Sequence, residues 1–161
     1  MWSSSARGLK FAAALVVTSV LSACSGFTPV YLASGEAPAL AFTEPASRLD
    51  QIIYNDLGLR FSPPTGSSPK LTVKASQSSR GLTSNLVAHA FSQHQTTVTA
   101  KFALVDGEGR TLLSQTRSAS ADYETGPQIL ANQQAQADAA ERAAHLLADT
   151  IRLSVLGALG K

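Results

Sequence analysis

The sequence predicts an α+β domain: two helices packed on one face of a four-stranded, mainly antiparallel sheet, placed after a cleaved N-terminal segment. Three observations carry this expectation. Two stretches, Leu71–Ser76 and Thr96–Leu104, alternate apolar and polar residues with the two-residue period of half-buried strands. A long C-terminal stretch repeats apolar residues at helical spacing. A shorter stretch near residue 50 does the same after a capping serine.

The chain opens with Arg7 and Lys10, then an apolar run from Phe11 to Leu21, then Ser22-Ala23-Cys24. The run is about half the ~20 residues that a membrane-spanning helix needs, and suits the core of a secretion signal. Small residues before the cysteine resemble the lipobox of bacterial lipoproteins, which predicts a lipoprotein signal peptide over 1–23 and acylation of Cys24. The other reading of the same residues is an ordinary cleaved signal with an incidental cysteine.

Cys24 is the single cysteine, so no internal disulfide forms and stability must come from a packed core. Each buried lipid methylene is worth about 0.8 kcal/mol, and several chains on one cysteine anchor a domain firmly. Losing Arg7 and Lys10 with the signal leaves basic residues balanced against the 11 acidic ones. A nearly neutral mature chain gives no global attraction to nucleic acid, so anion binding must rest on local clusters. Its length, Cys24 to Lys161, suits one domain.

Residues 24–37 are rich in Gly, Pro, Ser and Ala and read as a lipidated N-terminus and tether; 38–161 form the domain. Phe27 and Tyr31 within the tether either pack on the domain or touch a partner. Ala39 to Thr43, ended by Pro45, reads as a first strand. Ser47 can cap a helix whose first turn carries Asp50 against the positive end of the dipole. Leu49, Ile52, Ile53, Leu57 and Phe61 make one apolar stripe, predicting a helix over 47–61 stopped by Pro63-Pro64.

In the next strand Leu71, Val73 and Ala75 face inward, with Thr72, Lys74 and Ser76 outward. Residues 78–94 show no clean period. Val98, Ala100, Phe102 and Leu104 then oppose Thr97, Thr99 and Lys101, and Asp106-Gly107-Glu108-Gly109 has the composition of a hairpin turn. Arg110 to Tyr123 reads as a return strand whose inner face is not assignable, because Ser, Thr and Ala occupy both sides. A final helix over 128–158, about 45 Å long, sets Ala139, Ala143, Leu146, Leu147, Ile151, Val155 and Ala158 against Gln134, Asp138, Glu141, His145, Asp149 and Arg152. Asp138 and Arg142 stand four apart in the favourable acid-first order.

The word Cys24-Ser25-Gly26-Phe27-Thr28-Pro29-Val30-Tyr31 resembles the C-G-F-x-P-[LV]-Y opening of the LptE family of LPS-assembly lipoproteins. The resemblance extends through the arginine-led first helix from Arg48, the strand with Leu71 and Val73, the Leu104-Val105-Asp106-Gly107 turn and Tyr123. It ends in the alanine-rich last helix with Asp138, Ala139 and Arg142. Ser25, inserted between cysteine and glycine, is a departure that should matter little to the fold. The resemblance implies two helices on a four-stranded sheet, as read independently above. It further implies a non-enzymatic, lipid-anchored protein on the periplasmic side of the outer membrane. Such proteins plug the LptD barrel, assist its assembly and contact LPS on its way to the cell surface. An envelope adaptor with a different protein partner, or a periplasmic enzyme, are the competing classes.

Catalytic and metal signals are weak. His89 and His94 stand five apart in the irregular stretch, and with His145 they lack the cysteines or acids of a metal site, so they read as a solvated loop pair and a helix-surface residue. No G-x-S-x-G word occurs in the mature chain to mark a nucleophile. Gly107-x-Gly109 lacks the third glycine and helix of a dinucleotide loop. Asp138 and Glu141 read as solvated charges. No cofactor is expected beyond the lipid on Cys24. The basic residues Lys74, Arg80, Lys101, Arg110 and Arg117 lie on or near the strands and are the candidate phosphate contacts. Ordinary solubility of an exposed sheet face accounts for them equally well, and the resemblance assigns no LPS-contact residue.

Overall fold

The computed structural model describes residues 37–82 and 92–160. In chain order they form β1 (Ala41–Phe42), α1 (Arg48–Gly58), β2 (Lys70–Gly81), β3 (Ser92–Val105), β4 (Thr111–Thr125) and α2 (Ile129–Leu159). The strands lie in the order β1-β2-β3-β4. β1 is parallel to β2, and the other pairs are antiparallel. Both helices bury their apolar sides on one face of the sheet, with Leu71, Val73, Val98, Ala100, Phe102 and Leu104 meeting Ile53, Leu57, Leu147, Ile151 and Val155. The expected architecture is the observed one.

The capping signal at Ser47 is realised as a reciprocal box. The Asp50 amide donates to Ser47 Oγ at 3.1 Å, and the Ser47 amide donates to Asp50 Oδ2 at 3.0 Å. The helix expected to reach residue 61 ends at Gly58, because Arg60 and Phe61 both turn back to the Leu57 carbonyl. Phe61 is still buried, but from the turn and not from the helix. A Cβ at position 107 would lie 3.3 Å from the Ser67 carbonyl oxygen, a tight contact that glycine avoids. Gly109 takes the positive φ of 86° that closes the β3–β4 hairpin.

The described parts of the segment without period are strand at both ends. β2 continues to Gly81 and β3 begins at Ser92, paired without interruption from Lys70↔Val105 to Gly81↔His94. Ser, Gln and Thr occupy both faces there, so hydropathy carries no period even though the backbone is extended. His94 therefore sits in β3, not in a loop, and stacks on Tyr123 with centroids 5.4 Å apart. His89 and the rest of 83–91 lie outside the described residues, as do Cys24 and the tether up to 36.

In α2 the buried stripe runs through Ala140, Ala143, Ala144, Leu147, Ile151 and Val155. Leu146, expected in that stripe, is 55 % exposed, one step around the helix from Leu147. The expected Asp138–Arg142 pair is replaced by other partners. Asp138 accepts from Gln134 Nε2 at 2.7 Å, and Arg142 reaches the Asp122 carbonyl at 2.9 Å. A backbone acceptor on β4 wins over an exposed carboxylate, a pairing worth only a few tenths of a kcal/mol. No described helix is long and apolar enough to cross a membrane.

Candidate functional site: the uncovered face of the sheet

Cross-strand register decides which side chains share a face. Even-numbered residues of β2, odd-numbered ones of β3 and even-numbered ones of β4 point away from the helices. Across this face run Thr72, Ser76, Ser78, Thr97, Thr99, Ser114, Thr116, Ser118 and Ser120, a hydroxyl-rich surface. Thr97 and Ser120 hydrogen-bond across β3 and β4 at 2.8 Å.

Lys74 and Lys101 are directly opposite one another in this face. Like charges so placed destabilise a strand pair. Neither lysine has an ion pair among the described residues, and both are exposed. Between them and β4 lies a shallow trough of about 390 Å³, lined by Thr72, Lys74, Lys101, Ala103, Ser114 and Thr116. Two ammonium groups with hydroxyl donors beside them suit an oxyanion held by charge-assisted hydrogen bonds at an open surface. Lys70, two same-face positions before Lys74, adds a third cation. The alternation that placed Lys74 outward also reaches Lys70 and Thr72, and would have found them.

The other candidate cations are elsewhere. Arg80 shares the face but lies roughly 20 Å along the strand from Lys74. It donates to Gln95 Oε1 at 2.8 Å, and Gln95 Nε2 donates to Asp122 Oδ1 at 2.9 Å. That cross-strand relay ties Arg80 to an acid. Arg110 belongs to the hairpin turn, its guanidinium on Asp106 at 2.7 Å and on Glu108 at 3.2 Å. The Arg110 backbone and side-chain donors hold the Asp106 carboxyl below the usual carboxylate range. Arg117 pairs with the fully buried Ala100, so it lies on the helix-side face of β4 and does not join the lysines. The Ser and Thr residues on both sides of β4 concealed this from the sequence.

The inter-helix surface carries a separate cluster. His145 Nδ1 lies 2.6 Å from Asp56 Oδ2, Arg48 pairs with Glu141 at 3.1 Å, and Arg60 pairs with Asp149 at 2.8 Å. These contacts join α1 and the turn after it to α2. No group of three or more potential metal ligands occurs among the described residues.

Several solved structures share this fold. A lipoprotein from Caulobacter crescentus CB15 superposes with a TM-score of 0.57 at 22 % identity, covering 75 % of this chain and 90 % of the other. Rare lipoprotein B from Shewanella oneidensis superposes with a TM-score of 0.56 at 16 % identity, covering 74 % and 92 %. A minor lipoprotein from Acinetobacter baumannii gives 0.53 at 18 % identity, covering 75 % and 94 %. At these identities the likeness is one of fold. The LptE lipopolysaccharide-assembly family profile matches residues 27–155, and the chain belongs to that family. No curated protein matches the sequence. The chain is accordingly a non-enzymatic cell-envelope lipoprotein of lipopolysaccharide assembly.

Proposed function

We propose that this chain is anchored in the outer membrane through acylated Cys24, plugs and helps assemble the LptD barrel, and contacts LPS phosphates through the uncovered face of its sheet. Family membership supports the assembly role. The observation that carries the contact site is the Lys74–Lys101 pair, two like charges set opposite each other with no ion pair to either among the described residues. Stability alone disfavours that arrangement, and a phosphate offsets the repulsion. Thr72, Ser114 and Thr116 add hydroxyl donors around it. The hydroxyl-rich remainder of the face suits close approach to a polar barrel wall, since side chains there are short.

The test is binding of purified LPS to the wild-type chain, to Lys74→Glu/Lys101→Glu and to Arg117→Glu. Reversing both lysines is expected to weaken binding at least tenfold, while reversal of Arg117 on the opposite face changes it less than twofold. Equal losses in both variants would move the contact off this face. Separately, depletion is expected to leave LptD misassembled and the outer membrane permeable; a normal barrel in depleted cells would rule out the assembly role.

A further inference from the structure

β2 presents a row of backbone groups away from β3. The Leu82 amide donates to the Gln93 carbonyl at 2.8 Å, and the register back to Lys70↔Val105 is unbroken. In an antiparallel pair this turns the amides and carbonyls of the odd-numbered β2 residues to the other edge. Near β1 they are occupied: the Leu71 carbonyl accepts from the Thr43 amide at 3.0 Å. Next, the Val73 amide donates to the Tyr54 hydroxyl at 2.8 Å and the Ala75 amide to Asp50 Oδ1 at 2.7 Å. Beyond Ala75 the outward amides of Gln77, Ser79 and Gly81 have no partner among the described residues. β1 is two residues long and α1 starts beside Ala75, so neither reaches them.

A second feature adjoins the same edge. Between α1 and α2, on the helix side of Gln77, is a slot of about 250 Å³ walled by Leu49, Ile52, Ala137 and Ala140. The Arg48–Glu141 ion pair stands at its rim, leaving its charge balanced. Free backbone groups beside an apolar side-chain slot are the two requirements for strand addition: the backbone supplies affinity, and the slot selects a side chain.

We propose that the Gln77–Gly81 edge of β2 is a strand-addition site for an extended segment of a protein partner, with an aliphatic side chain of that segment inserted between α1 and α2. The incoming strand continues the line of β1 along β2. Its side chains alternate: apolar toward the slot, polar toward Ser76 and Ser78 on the uncovered face. A second copy of this chain paired through β2 does not meet the requirement, because it offers Gln77 and Ser79 to an apolar slot. The inference stands apart from the lysine trough and does not depend on it.

The probe is a seven-residue peptide alternating threonine with valine, with leucine at its centre and both ends blocked, added to the full chain in detergent. Amide exchange at Gln77, Ser79 and Gly81 is expected to slow at least tenfold at saturation. Ala137 is exposed, and Ala137→Phe fills the slot without touching the core; it is expected to weaken peptide binding at least tenfold. Ser79→Pro, which removes an outward amide from an edge strand, is expected to abolish it; if that variant fails to fold, Ala137→Phe carries the test. Three results overturn the proposal: unchanged exchange at these amides with millimolar peptide, slowing confined to the β4 edge at Thr116 and Ser118, or concentration-dependent protection without peptide, which assigns the edge to a second copy.

Discussion

Asp50 Oδ1 accepts the Ala75 amide at 2.7 Å while Oδ2 accepts the Ser47 amide at 3.0 Å, so one buried carboxylate both starts α1 and closes the edge of β2. One helical turn on, the Tyr54 hydroxyl lies at the Val73 amide at 2.8 Å and continues the same seal. β1 pairs β2 only at Lys70 and Leu71, and these two side chains take over where it stops. The first helix is thus hydrogen-bonded to the sheet it covers, in addition to packing on it. Burial pushes the Tyr54 phenol above its ordinary range, which keeps it protonated and able to accept and donate throughout the physiological range.

Removing the carboxylate exposes the cost of that link. Asp50→Ala leaves the Ala75 and Ser47 amides without their acceptor and is expected to destabilise the domain by about 3 kcal/mol. Ser47→Ala removes only the cap and should cost about 1 kcal/mol. Urea unfolding of the two variants measures the difference; equal losses would mean that the β2 contact contributes nothing.

Tyr54→Phe keeps the ring against Phe42, whose centroid is 5.4 Å away, and removes only the hydroxyl. It is expected to cost about 1–2 kcal/mol, because the Val73 amide loses its partner at a buried edge. Chemical denaturation checks this, and faster amide exchange at Val73 should accompany it.

Leu147 is fully buried in the middle of α2, whereas Asp149 sits on the surface in an exposed ion pair with Arg60. Leu147→Asp puts an unpaired charge in the core and is expected to unfold the domain or lower its stability by more than about 4 kcal/mol. Asp149→Ala should cost less than about 1 kcal/mol. Thermal melting of both variants tests the assignment of helix faces.

The hairpin turn should be sensitive to acid. Asp106 is held below the usual carboxylate range by Arg110, so its folded value is depressed relative to the unfolded chain. Its contribution is therefore full above the unfolded value and lost as pH falls through the folded one. Amide exchange at Glu108 and Arg110, both donors to Asp106 Oδ1, is expected to quicken below the ordinary carboxylate range after correction for intrinsic rates. Asp106→Asn should remove that pH dependence.

Acylation of Cys24 is a further expectation. Cys24→Ser should leave an unprocessed or mislocalised precursor on immunoblots of fractionated envelopes. Mass spectrometry finding an unmodified Cys24 in a normally processed protein would overturn it.

Periodicity made much of the architecture legible from residues alone. Leu71 and Val73, the Val98–Leu104 alternation, the Asp106–Gly109 turn and the Leu147–Ile151–Val155 stripe are local patterns with strong amplitude, because a half-buried strand or helix must separate apolar from polar side chains. The Ser47–Asp50 cap is equally local. Tertiary structure decided what depends on pairing between distant segments. Only the β2–β3 register sets Lys74 against Lys101, and only the β3–β4 register turns Arg117 to the helix side. In β4, Ser, Thr and Ala fill both faces, so no hydropathy contrast exists from which to read a side. Asp50 was legible as a first-turn acid at the positive end of the α1 dipole but not as the acceptor for Ala75, 25 residues away, since that bond forms only when α1 lies across the edge that a two-residue β1 leaves open.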